Sequence, residues 1–346
     1  MQRNAYLDNA KVLLITLVVF GHVIQPFTSD STTVHVLYQW IYTFHMPLFI
    51  MLSGYFASGS SKPGYVKKLG KKLIVPYLLF QMIYSLYYYS IGRDNWVEPL
   101  FYPHWALWFL ISLFSWHILL IAYKRLDARV AIPLAVAVGI GIGYIDFFGH
   151  YFSISRTFVF FPFFLIGYYM SEKHLHLLRK KQAKIAAAML FIVVATIIYV
   201  TPDFSTDWLL GSKSYSTLDA ENIGGVARIG VYGVAAFMSF SVLAWIPSKR
   251  YVFTKFGVTT IYVYLLHGFF IQFFREANWF AVNHVMDILG LFVISIAIVW
   301  LLSSKWVTAM FQPVVEGKAT NLRDMWAERW KKRAEQNHRR ELFEQK

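Results

Sequence analysis

Several histidines stand inside long apolar stretches of this sequence, and three of them are notable: His22, His45 and His267. An ionisable side chain is costly inside a membrane, so one found there is by default a candidate for a functional site. Imidazole can accept a proton near neutral pH. We therefore interpret all three histidines as candidate site residues, with His22 as a titratable base.

Lys11 precedes His22 by eleven residues, and Asp8 lies one helical turn before Lys11. On a helix, eleven steps of about 100° bring both side chains to within roughly 20° of the same face, with a rise of about 16 Å. A cation at one end of a face and a base further along it suit a long anionic ligand. The pair therefore predicts a site for such a ligand along this face of the helix, with Lys11 at its charged end and His22 further along. A lysine that caps the helix and a histidine bonded to a carbonyl are the structural alternatives.

Two further positions and one basic segment are also candidates. Pro47 follows His45 by two residues, and a helix broken by proline usually borders a cavity, although a packing kink would explain it equally. Arg156 lies at the end of an apolar run and is a further candidate site residue, with an interfacial anchor as the alternative. A basic loop could bind phosphates or anionic lipid headgroups, or could mark topology alone. Its lysines are Lys67, Lys68, Lys71 and Lys72.

The chain has no cysteine, which excludes thiol nucleophiles and cysteine-ligated metal centres. It also lacks a glycine-rich phosphate loop, a His-Glu-x-x-His pair and a Gly-x-Ser-x-Gly elbow. We therefore expect no metal site.

These residues belong to a strongly apolar chain: of 346 residues, 57% are hydrophobic and only 15% are charged. A soluble protein has about 25% charged residues, so the composition indicates a polytopic membrane protein. The apolar runs are continuous rather than alternating, which favours helices over a barrel. We predict an all-α membrane domain over residues 1–303 with about ten transmembrane helices. The apolar runs are 12–27, 36–56, 73–91, 106–123, 130–145, 157–170, 185–200, 229–246, 256–274 and 288–302.

The distribution of positive charge predicts the orientation. If the N-terminus is cytoplasmic, the segments on that side hold all but five of the 33 lysines and arginines. This positive-inside pattern predicts that both termini are cytoplasmic. The net charge of +14 therefore reflects orientation and attraction to anionic lipids, and not nucleic-acid binding. Residues 304–346 form a basic tail, for which we predict an amphipathic surface helix. Its apolar residues are Leu322, Met325, Trp326 and Trp330.

Several motifs, taken in order, resemble the acyltransferase-3 family of integral membrane acyltransferases. The segment from Asn9 to Lys11, with His22 after ten residues, is similar to the family's Arg/Lys-x10-His signature, in which arginine is commoner than lysine. The other segments that fit are the basic loop and those containing His45, Trp108, Arg156 and His267. The resemblance covers about residues 3–303 and is nearest to the fucose 4-O-acetylase-like branch, with no attached soluble domain.

The resemblance implies an acyltransferase of the bacterial cell membrane that crosses the bilayer many times. Its donor would be cytoplasmic acetyl-CoA, or another acyl-CoA, with Lys11 and the four loop lysines at the phosphates. Its acceptor would be a hydroxyl of an extracytoplasmic or lipid-linked surface glycan, and a homo-oligomer is compatible with the sequence. His22 would be the general base on that hydroxyl or a transient acyl carrier. The residues that would orient the acceptor or stabilise the oxyanion are His45, His267 and Arg156. The alternatives are a transporter or flippase for a lipid-linked sugar or small polar solute, and a membrane sensor whose basic tail recruits partners.

Overall fold

The computed structural model describes residues 4–57, 64–93, 98–99, 101–148, 151–320, 323–324 and 326. Within these ranges the chain forms helices and no strand, which confirms the all-α prediction. The α-helices there are α1 (Ala5–Ile24), α2 (Thr32–Tyr42), α3 (His45–Tyr55), α4 (Tyr65–Ser90), α5 (Trp108–Tyr123), α6 (Ala128–Gly141), α7 (Ile154–Tyr169), α8 (Glu172–Leu178), α9 (Lys181–Val200), α10 (Asp207–Leu210), α11 (Gly224–Trp245), α12 (Thr260–Glu276), α13 (Val285–Leu302) and α14 (Lys305–Glu316).

Six helical segments in the described ranges are long and apolar enough to cross a membrane on their own. They are Ala5–Phe27, Trp105–Tyr123, Tyr151–Tyr169, Lys181–Val200, Gly224–Trp245 and Val285–Leu302. A seventh span would result if Val252–Val258 and Thr260–Glu276, which are bent by 87° relative to each other, crossed together. The count of ten spans and the cytoplasmic position of the termini therefore stay predictions.

One of the other apolar runs is divided rather than continuous. The run 36–56 is split between α2 and α3, which begins at His45. Pro47 lies in the first turn of α3, where its missing N–H has no intrahelical partner to lose. The proline therefore follows a break between two helices, and His45 lies at the start of the second one. The run 130–145 forms one apolar helix, Ala128–Tyr144, whose last turn is 3-10 and which is shorter than the six spans.

The helix α1 contacts α2, α3, α12 and α13 and is anchored near its N-terminus by Asn9. The Asn9 amide donates to Pro247 O at 2.8 Å and to Lys249 O at 2.9 Å. Its Oδ1 accepts a hydrogen bond from Thr254 Oγ1 at 2.6 Å. At the other end, Pro26 in the 3-10 turn Gln25–Phe27 marks the point at which α1 stops. These contacts hold the helix that carries both Lys11 and His22.

The helices α3 and α7 approach each other at backbone contact. A Cβ atom added to Gly54 would lie 2.0 Å from Phe164 O, and one added to Gly167 would lie 1.8 Å from Met51 O. Only glycine permits such an approach, and small residues commonly line helix interfaces in membranes. The contact fixes the relative position of two helices that carry predicted site residues.

The start of the predicted tail is part of the helix assembly. The helix α14 packs against α4, α12 and α13, and Tyr262 Oη donates to Glu316 Oε1 at 2.7 Å. Of the apolar residues assigned to the surface helix, Leu322, Met325 and Trp330 lie outside the described residues.

Candidate active site

His22 lies in the last turn of α1 within a cluster of aromatic rings. Its ring centroid is 4.4 Å from that of Trp105 and 5.7 Å from that of His267, and the Trp105 and His267 centroids are 5.0 Å apart. The structure therefore brings together two histidines that are 245 positions apart in the sequence. Trp105 opens a 3-10 turn with a φ of 40°. Such a conformation is uncommon for a bulky residue, and backbone strain of this kind clusters at functional sites.

Hydrogen bonds to the backbone define the orientation of the two other predicted histidines. His267 Nδ1 lies 2.7 Å from Tyr264 O and 3.0 Å from Val263 O, and His45 Nδ1 lies 3.0 Å from Ile41 O. A ring nitrogen that faces a carbonyl must carry the proton, so we infer that Nε2 is the acceptor in each neutral ring. His267 Nε2 is buried and has no partner among the described residues. The site thus holds an unused acceptor beside His22.

Tyr42 connects His22 to His45. The Tyr42 hydroxyl lies 3.5 Å from His22 Nδ1, and the Tyr42 ring packs edge-on against His45 with centroids 4.3 Å apart. Tyr42 belongs to the end of α2 and His45 to the start of α3, so the break between these helices faces the site. The three predicted histidines therefore surround one region of the molecule.

His22 and Gln25 line two cavities. One cavity has a volume of about 140 Å³ and is lined by His22, His45 and Arg156 together with Trp105 and Trp108; we call it the Arg156 cavity. The other has a volume of about 430 Å³, and we call it the Arg275 cavity. Its lining includes His22, Gln25, Phe27, Phe274, Arg275, Asn278 and Phe280. Among the described residues lining the two cavities there is no aspartate or glutamate, so both are electropositive.

Each cavity contains one arginine. Arg156 Nε donates to Leu210 O at 3.3 Å, and its guanidinium lies 5.0 Å from the centroid of the Trp108 ring. Arg275 Nη2 donates to His22 O at 3.0 Å and to Gln25 Oε1 at 2.8 Å. The structure therefore joins Arg156 to the predicted site and adds Arg275, which the sequence did not single out.

Glycine at position 268 makes room for this ring cluster. A Cβ atom there would lie 2.3 Å from Tyr84 Oη and 2.6 Å from Trp105 Cζ3. Tyr84 Oη in turn donates to Leu265 O at 2.8 Å. The helix α12 can therefore bring His267 against Trp105 only because Gly268 has no side chain.

The predicted donor-binding lysines lie apart from the histidines. Lys11 forms a 2.6 Å ion pair with Asp8, and its ammonium lies 5.2 Å from the centroid of the Phe56 ring. It lines neither the Arg156 cavity nor the Arg275 cavity. The four loop lysines are exposed near the start of α4: Lys67, Lys68, Lys71 and Lys72. Their role in donor binding stays a prediction.

Within the described residues, no group of three or more histidine, cysteine, aspartate or glutamate residues could hold a metal ion. The side chains around His22 offer imidazole, guanidinium and hydroxyl groups. Such a set can accept a proton and stabilise a developing negative charge, which are the needs of acyl transfer.

Comparisons with known proteins agree with this chemistry. The sequence profile of the acyltransferase domain family matches residues 4–304. The chain is similar to the nodulation protein NolL of Sinorhizobium fredii, with 24% identity over 303 residues and 77% of each protein covered. It is also similar to NolL of Mesorhizobium japonicum, with 36% identity over 85 residues, or 22% of this chain and 23% of the relative.

No solved structure matches the chain. The family match spans most of the sequence and includes every residue of the two cavities. It confirms the resemblance given above and favours an enzyme over a transporter, flippase or sensor. The chain belongs to the acyltransferase-3 family, and it is a helical membrane acyltransferase.

Proposed function

We propose that this enzyme transfers an acetyl group from acetyl-CoA to a hydroxyl of a surface glycan or lipid-linked sugar. The observation that carries the proposal is that His22 lines two electropositive cavities of different size. An acetyl thioester is small, which suits the Arg156 cavity. A sugar is larger, which suits the Arg275 cavity, and His22 would meet both substrates.

The proposed reaction is a direct transfer with His22 as general base. The acceptor oxygen forms a bond to the thioester carbonyl carbon while His22 accepts the hydroxyl proton. Arg156 stabilises the negative charge that develops on the carbonyl oxygen. The carbon–sulfur bond then breaks, and the proton passes from His22 to the departing thiolate, which leaves as free CoA. An acetyl group held transiently on His22 is the covalent variant of the same chemistry.

The donor would approach from the N-terminal end of α1. Lys11 and the exposed lysines of α4 are strongly charged groups of the kind that phosphates attract. With the orientation expected from the basic loops, this end faces the cytoplasm, where acetyl-CoA is available, and the acceptor would enter from the outer side. Both similar relatives are rhizobial proteins, which supports the expectation of a bacterial cell membrane.

The test compares His22→Gln with His117→Gln in purified protein. His117 is also buried and its Nδ1 bonds Tyr65 Oη at 2.7 Å, but it lines neither cavity. We expect His22→Gln to lower turnover by roughly 10²- to 10⁴-fold, the usual contribution of a general base, while His117→Gln keeps most activity. Release of CoA thiol measures the donor half-reaction, and mass spectrometry of the glycan detects the added acetyl ester.

Two results would count against the proposal. The first is a folded His22→Gln protein with near-normal glycan acetylation, which would remove His22 from the mechanism. The second is a wild-type protein that consumes no acetyl-CoA in the presence of cell-surface glycans, which would reject the donor.

A further inference from the structure

The guanidinium of Arg275 has no counter-ion among the described residues. Its two hydrogen bonds go to neutral oxygens, His22 O and Gln25 Oε1, and both use Nη2. Its Nε is buried and has no partner in the described part of the chain. The neighbouring arginine differs, because Arg93 pairs with Glu276 at 2.6 Å. Arg275 is half-buried, and its guanidinium carbon lies 6.0 Å from the centroid of the Trp105 ring. Its described partners are therefore all neutral, and an anion in the adjoining cavity would supply the charge-assisted hydrogen bonds that it lacks.

The rest of the Arg275 cavity suits a sugar. Three phenylalanines line it, together with the amides of Gln25 and Asn278. Aromatic faces offer apolar contact area, while amides can both donate to and accept from hydroxyls. The volume of about 430 Å³ lies in the usual range for a small-molecule site. The apolar lining residues are Val23, Pro26, Phe27, Ile271, Phe274 and Phe280.

Arg275 is also tied directly to the proposed base, because it donates to the backbone carbonyl of His22. An anion bound to Arg275 would therefore lie within one sugar ring of the imidazole. The ion pair with Arg275 would hold the anionic group of the sugar in place, and a hydroxyl elsewhere on the same ring would then contact His22. A bidentate guanidinium commonly orients a substrate in this way.

We propose that the Arg275 cavity is a subsite for an acceptor sugar that carries an oxyanion, either a carboxylate or a phosphate. This inference rests on the proposed function for its account of what the bound sugar does next. It adds the substrate class: an acidic sugar rather than a neutral one, with Arg275 as the residue that determines the preference.

The experiment measures binding to the purified full chain in detergent, without donor. The probes are methyl β-D-glucoside, methyl β-D-glucuronide and glucose 6-phosphate, so that a neutral sugar is compared with its carboxylate and phosphate counterparts. We expect at least one anionic probe to bind tenfold or more tightly than the glucoside. Arg275→Gln should weaken binding of the anionic probe at least tenfold more than binding of the glucoside. Arg275→Lys should keep part of the preference, because lysine retains the charge but not the fork of donors.

Arg93→Gln is the matched control, because it removes a nearby arginine that already has a carboxylate partner. It should keep the wild-type preference. The proposal is overturned if the wild-type protein binds neither anionic probe more tightly than the glucoside. Weak or undetectable binding of all three probes overturns it as well. It is overturned equally if Arg275→Gln weakens neutral and anionic probes by the same factor, since that result assigns Arg275 a structural role.

Consumption of acetyl-CoA, measured separately, distinguishes this inference from the proposed function. Acetyl transfer without any charge preference would remove the anion subsite and leave the enzyme activity standing. A charge preference that depends on Arg275, without acetyl-CoA consumption, would support the anion subsite and reject the proposed acetyl transfer.

Discussion

Gly167→Ala perturbs the closest contact between α3 and α7. The added Cβ would lie 1.8 Å from Met51 O and 2.6 Å from Met51 C. Both are backbone atoms, so no change of rotamer can relieve the clash. The two helices would have to separate by roughly 1 Å or more, because a packed interior has no spare volume to absorb the methyl group.

The expected magnitudes follow from this displacement. Overpacking of this kind lowers the free energy of unfolding by about 1–3 kcal/mol. The better helix propensity of alanine offsets about 1 kcal/mol of that loss. The effect on catalysis should be larger, because α3 begins with His45 and α7 carries Arg156. A misplacement of about 1 Å can lower a rate on the order of 100-fold. We therefore expect a modest loss of stability and a loss of turnover near two orders of magnitude.

Thermal unfolding of the detergent-purified protein and acetyl-CoA turnover well below the unfolding temperature measure the two effects. Gly290→Ala is the matched control, because this glycine also lies in a membrane-length helix, α13, and its added Cβ would meet no atom within 4 Å. Its turnover should be unchanged. Normal turnover in Gly167→Ala, or an equal loss in Gly290→Ala, would refute the reasoning that this contact positions the site.

Two further substitutions separate anchoring from donor binding on α1. Asn9→Ala removes three hydrogen bonds to the 247–254 segment. We therefore expect the free energy of unfolding to fall by about 2–4 kcal/mol, while turnover per folded molecule is largely kept. An unchanged thermal midpoint would contradict this expectation. Lys11→Gln should raise the KM for acetyl-CoA roughly tenfold with little change in kcat, because one charge-assisted contact to phosphate is lost, and Lys11→Arg should retain it. An unchanged KM in Lys11→Gln would remove Lys11 from donor binding.

The helical class could be predicted because it depends on composition and on continuous apolar runs, which are local properties of the sequence. The division of the run 36–56 could not be predicted to the residue. Pro47 signalled an interruption, but proline is tolerated in the first turn of a helix and disruptive further inside it. Only the structure shows that α3 starts two residues before this proline.

Some residues of the candidate site could likewise be predicted from the sequence, and others could not. His22, His45 and His267 could be found because each is a polar group in an apolar run, a signal that one sequence carries on its own. Arg156 lies beside such a run and was supported by the resemblance to the family. Trp105 and Arg275 gave no comparable signal, since tryptophan and arginine near helix ends are ordinary interfacial residues. Their importance depends on contacts with His22, which is more than 80 positions from Trp105 and 253 from Arg275.

The shared face of Lys11 and His22 has a consequence for the donor. Helix periodicity fixes the direction in which both side chains point, but neighbouring elements decide what each one meets: Asp8 and Phe56 at Lys11, and Trp105 and His267 at His22. With a rise of about 16 Å between them, a compact anion could not contact both residues. A ligand that did so would need a charged head and a long narrow arm ending in the reactive group, which is the shape of an acyl-CoA. Donor binding at Lys11 and acyl transfer at His22 are therefore compatible only if the arm runs alongside α1.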